Sequence, residues 1–97
     1  MSIKETSDSC GYQQITSLSA STGLTIPTLP DGSKPTACVL RCETQNVRWR
    51  DDNTAPTATV GMLMITTDEP YFYDGPLDKI RFIEVTASAK LNISYYR

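Results

Sequence analysis

Histidine is missing from this 97-residue chain, which removes the usual neutral-pH acid/base and the commonest transition-metal ligand together. Long apolar runs are also missing, so no segment reads as a membrane-spanning helix. A positive charge balance is lacking too: nine Lys and Arg stand against eleven Asp and Glu, a net charge of −2. Such a chain has no basic field for gripping phosphates, and nucleic acid is excluded as a partner. No window carries the 3.6-residue apolar period of an amphipathic helix. Cysteine is scarce and odd in number, at Cys10, Cys38 and Cys42, which argues against a disulfide scaffold. The polar start MSIKETSDSC has no apolar stretch of a signal peptide, so synthesis in a reducing cytoplasm is expected.

What is present are short alternating or apolar runs separated by turn residues. Residues 12–18, 36–44, 47–50, 57–67, 71–73, 79–86 and 90–96 read as strands, and Gly61 marks a bulge or a close backbone approach within the fourth. Residues 74–78 (DGPLD) form the clearest reverse turn. Strands at this spacing in about 100 residues predict an all-β fold. The expected architecture is a single antiparallel β-sandwich, Ig-like or jelly-roll-like, of about six to eight short strands. Residues 1–11 read as an N-terminal arm and 12–97 as the domain, with a Pro/Ser/Thr-rich loop at 19–35. Threonine, the commonest residue at thirteen copies, suits the solvated faces of such sheets.

Trp49 is expected as a core anchor together with Phe82, Leu91 and Ile93, and Leu40, Phe72, Ile80, Tyr95, Met62 and Met64 as their neighbours. Cys38 and Cys42 share one face of a strand about 13 Å apart, beyond disulfide reach, and read as small core residues. Arg48 and Arg50 fall on the face opposite Trp49. With Asp51 and Asp52 they form either a solvated strip with local ion pairs or a polar docking strip for a partner. Tyr71, Tyr73 and Tyr96 complete the interface candidates.

Chemistry-bearing patterns are not found. The carboxylates are scattered through turns, and DGPLD lacks the acidic spacing and terminal Glu of a calcium loop. No P-loop, dinucleotide fingerprint or nucleophile elbow occurs. The triplet Asn92-Ile93-Ser94 matches a glycosylation acceptor but sits within an expected strand. The reading is a non-enzyme with no cofactor and no metal.

Two longer stretches, ACVLRCETQNVRWRDDNTAPTATVGMLM and YFYDGPLDKIRFIEVTASAKLNISYY, carry a resemblance. In order and spacing they resemble a family of small tailed-bacteriophage virion structural proteins, with a VRWRDD…PTAT-GM…YDG-L--IRFI…LN-SYY pattern over about residues 36–96. The resemblance implies a virion protein made in the bacterial host cytoplasm. Its implied role is a capsid decoration or cement protein on the head surface. The alternatives are a neck, collar or tail component (a ring or fibre-attachment protein) and a carbohydrate-binding adsorption module. The implied partners are other virion proteins, the major capsid protein first and portal, neck or tail proteins next, with homo-oligomers in the particle and no membrane.

Overall fold

The structure is a computed structural model and describes residues 9–97. Eight strands follow one another: β1 (Ser9–Ile15), β2 (Thr22–Gly23), β3 (Ala37–Glu43), β4 (Val47–Arg50), β5 (Met62–Met64), β6 (Tyr71–Tyr73), β7 (Arg81–Glu84) and β8 (Lys90–Tyr96). Among the described residues there is no helix, hence none long and apolar enough to cross a membrane.

Two four-stranded antiparallel sheets form, in the orders β1-β8-β3-β6 and β2-β7-β4-β5. The pairs β1·β8, β2·β7, β3·β6 and β4·β5 are those of one long hairpin whose two arms run side by side. Wrapping that hairpin adds β3·β8 and β4·β7 and gives the eight-stranded jelly roll. Of the two sandwiches expected from sequence, the strand order selects this one over the Ig-like arrangement.

One core lies between the sheets. Cys38, Leu40, Cys42, Tyr73, Leu91, Ile93 and Tyr95 come from the β1-β8-β3-β6 sheet, and Val47, Met64 and Phe82 from the other. Alternation produces this set, because residues paired across antiparallel strands share a face. Cys38, Tyr73 and Tyr95 stand in one row, and Cys42, Leu91 and Ile15 in another. Buried polar ends are satisfied. The Tyr95 hydroxyl donates to Gln13 Oε1 at 2.7 Å and to the Thr25 carbonyl at 3.3 Å. The Cys42 thiol donates to the Met64 carbonyl at 3.4 Å, joining the sheets.

Departures from the expected strands have local causes. β1 begins at Ser9, within the expected arm; residues 1–8 of that arm lie outside the described residues. β1 ends at Ile15 because the chain then crosses to the other sheet, where the Leu18 carbonyl accepts from Glu84 N at 2.9 Å. β2 is only two residues long and lies inside the Pro/Ser/Thr-rich stretch, which carries no alternation to reveal it. Leu24 and Ile26 of that stretch pack on the core. The strand expected at 57–67 shrinks to Met62–Met64, because Thr57 and Val60 close a turn on each other's backbones. The Thr57 hydroxyl also accepts from Thr59 N and Val60 N. β7 starts at Arg81 because Lys79 N and Ile80 N both donate to the Pro76 carbonyl.

Candidate functional site

On one side of the sandwich both sheets end in short strands. β5 and β6 are edge strands of three residues each, and the chain links them directly through residues 65–70. Between them opens a cleft of about 610 Å³, lined by Trp49, Met62, Leu63, Met64, Tyr71 and Phe72, with Asp68, Glu69, Pro70 and Asp74 at the acidic side. A second groove, beyond Trp49 and Met62, is lined by Arg50, Asp51, Asp52, Val60 and Gly61. Of the five large hydrophobic side chains exposed among the described residues, four gather here: Met62 at 59%, Val60 at 52%, Leu63 at 49% and Tyr71 at 44%. Single exposed apolar residues are ordinary on any surface, whereas a gathered patch marks a contact surface.

Trp49 forms the floor of this cleft. It sits in β4 between Met62 of the edge strand and Phe82 of β7. Its inner side packs on the core, but its ring is only half-buried. This corrects its assignment as a central core anchor. The tryptophan lies one strand from the edge, and three-residue β5 is too short to cover it. Tyr71 stands at 5.9 Å between ring centroids with the planes tilted by 32°, and Tyr73 meets Trp49 edge-on at 5.7 Å and 69°. Aromatic pairs in these arrangements hold each other beyond simple burial, so the indole is fixed in place.

Beneath the tryptophan, the Tyr73 hydroxyl donates to Asp51 Oδ2 at 2.7 Å. Asp51 follows β4 in one sheet and Tyr73 belongs to β6 in the other, so this bond ties the sheets behind Trp49. Burial, then the Asp51 contact, pushes the Tyr73 phenol well above its ordinary range. Gly75 keeps room for that ring: a Cβ there would lie 2.6 Å from the Tyr73 oxygen. Tyr73 is therefore buried and committed to Asp51, which corrects its assignment to an exposed interface.

The arginines have local duties. Arg48, on the outward face, donates from Nε to the Ala58 carbonyl at 3.2 Å and from Nη1 to the Gly61 carbonyl at 2.9 Å. It thereby clamps the 51–61 loop against β4. Gly61 adopts φ 143°, a conformation L side chains rarely take, with the Arg48 and Pro56 side chains and the Trp49 carbonyl packed about it. The close backbone approach read from its place in the sequence is thus present. Arg50 makes a two-pronged ion pair with Asp52, Nε to Oδ1 at 3.0 Å and Nη2 to Oδ2 at 2.6 Å. That guanidinium holds the Asp52 carboxyl below the usual range. Of the two readings of the Arg-Asp strip, these bonds fit local pairing for Arg50 and Asp52, while Arg48 and Asp51 serve the loop and Tyr73.

Tyr96 lies apart from the cleft, half-buried on β8, opposite Ala37 and Ser9 and two strands from edge strand β6. Phe82, Leu91 and Ile93 are fully buried, whereas Met62, read as interior, is exposed. Sequence reasoning missed Met62, Leu63, Glu69 and Asp74 as parts of one surface. A signal was present in Met62-Leu63-Met64, since three consecutive apolar residues in a strand cannot all face one core.

Asp68 is partly occupied, accepting from Ile65 N at 3.0 Å in its own turn. Glu69 and Asp74 make no hydrogen bond or ion pair with the described residues. The cleft thus offers flat aromatic faces, flexible methionine and leucine side chains, and carboxylate acceptors, with no cationic side chain among the described residues of its lining. Among the described residues no three His, Cys, Asp or Glu side chains gather to hold a metal ion.

Fold and site together define a small jelly-roll domain that is closed by packed loop residues near β1 and β2 and open at an aromatic cleft between β5 and β6. Comparison with protein-family models, with curated proteins and with solved structures found no match.

Proposed function

We propose that this chain is a non-enzymatic structural protein of a tailed-bacteriophage particle, a decoration or cement protein that binds the head surface. The observation that carries the reading is the gathering of Met62, Leu63 and Tyr71 with Trp49 in the cleft, and of Val60 beside Trp49 in the adjoining groove, at one open edge of the sandwich. Aromatic residues and methionine are enriched at protein interfaces, and edge strands offer main-chain groups to a partner strand. The resemblance of residues 36–96 to small virion proteins supplies the setting. In that setting many copies bind at once, so a modest contact from one cleft suffices.

The test is addition of the purified chain to expanded empty heads, assembled without it, of the phage that encodes it. Saturable binding at many copies per head, with a raised melting temperature of the shell, is the expected result. Binding in roughly six or twelve copies, as a cyclic ring holds, moves the protein to the neck or tail. No binding to heads or tails, or binding to oligosaccharides instead, refutes the virion-assembly reading.

A further inference from the structure

The chemistry of the cleft specifies what enters it. We infer that its occupant is an extended segment of the partner protein bearing Lys or Arg, laid along the open edge of β5 or β6 with its cationic side chain over Trp49. The inference rests on the reading of the domain as one that docks on another protein, and it names the chemistry of that partner.

Three observations lead there. First, among the described residues the lining carries Asp68, Glu69 and Asp74 and no Lys or Arg, so a cation is the group that compensates its charge. Glu69 and Asp74 are not engaged by the described side chains and remain as acceptors. Second, Trp49 is held by Tyr71 and Tyr73, and a fixed indole face attracts an ammonium or guanidinium group placed over it. Third, among the described residues β5 pairs only with β4 and β6 only with β3, which leaves one side of each strand for backbone pairing by an extended chain.

The same charges disfavour a second copy of this chain in the cleft. Two clefts brought face to face would oppose their carboxylates without a cation between them. A neutral glycan would stack on the aromatics but leave the carboxylates uncompensated.

The experiment uses the full chain, the variant Glu69→Lys/Asp74→Lys, and two capped probe peptides, one alternating Thr and Arg and the other alternating Thr and Glu. Thermal unfolding first establishes that the variant is folded, and Asp68 is left intact because it closes its own turn. If the charge reversal unfolds the domain, Glu69→Gln/Asp74→Asn takes its place with the same readouts. Trp49 fluorescence then follows each peptide, and binding to empty heads is measured with and without peptide. The expected result is a change in Trp49 emission with the Arg peptide alone. It should be lost on raising salt and weaker by about tenfold or more in the variant. The Arg peptide should also compete with heads for the wild-type chain.

Equal response to both peptides, no response to the Arg peptide, or displacement by an oligosaccharide overturns the inference. Heads that bind wild type and variant equally also overturn it while leaving the virion role standing. Heads that bind neither protein refute the virion role, and the peptide titration then decides the cleft's chemistry by itself.

Discussion

Removing the Tyr73 hydroxyl should loosen the whole edge on which the cleft is built. Its hydrogen bond to Asp51 joins the end of β4 to β6 across the sandwich. A hydrogen bond to a charged group contributes about 1.5–3 kcal/mol. Asp51 is only half-buried, so water partly replaces the lost donor, and Tyr73→Phe should cost about 1.5 kcal/mol. For a domain of this size each kcal/mol lowers Tm by about 4–8 °C, giving a fall of roughly 6–12 °C. The assay is urea unfolding followed by Trp49 fluorescence, with the slope against denaturant expected to stay unchanged. A double-mutant cycle with Asp51→Ala isolates the bond, and its coupling energy should be about 1–2 kcal/mol. If the two substitutions are additive within about 0.5 kcal/mol, the bond does not tie the sheets and the reasoning is wrong.

Other expectations concern the turns, the core and alkaline pH. Thr44 holds φ 75°, which costs a β-branched residue about 1–2 kcal/mol; Thr44→Gly should raise stability by about 1 kcal/mol in the same urea assay, and a loss would contradict the strain. Burial pushes the Cys38 thiol up from 9.0 to about 12, and the Tyr73 and Tyr95 phenols are also raised, chiefly by burial. The native state therefore keeps protons that the unfolded chain releases. Their contribution to stability is fully present below pH 9 and is lost as pH rises toward 12, with each group steepening the fall by about 1.4 kcal/mol per pH unit once its unfolded form is ionised. Urea midpoints that stay flat from about pH 8 to about 11, a window that spans the ordinary Cys and Tyr values, would contradict this. Leu91 is fully buried, so Leu91→Ala should cost about 2–5 kcal/mol. Trp49 is partly buried, so Trp49→Ala should cost less than the roughly 3–5 kcal/mol of a fully buried tryptophan and leave a folded domain, as circular dichroism can check.

The sheet residues were legible where alternation was strong. Leu91, Ile93 and Tyr95 repeat at every second position of β8 and all face the core, and Val47 to Arg50 and Tyr71 to Tyr73 take the strand bounds their patterns imply. Where side chains bond their own backbone, alternation misled. Thr57 closes a turn that removes half of an apparent strand, and two-residue β2 has too little pattern to be seen. The site was less legible than the fold. Burial of Trp49 depends on the length of its neighbour β5, and the meeting of β5 with β6 depends on jelly-roll winding, neither of which is a property of the local sequence. Tyr71 and Tyr73 look alike in the chain, yet opposite roles follow: one is exposed at the cleft, and the other is buried against Asp51.

The most direct test is an image of the intact particle at a resolution that traces the chain. The head should carry many copies, each with the Trp49–Tyr71 cleft turned toward a capsid protein and an extended basic segment seated between β5 and β6. Particles in which the chain is absent, or in which that cleft faces solvent while another surface makes the contact, would contradict it.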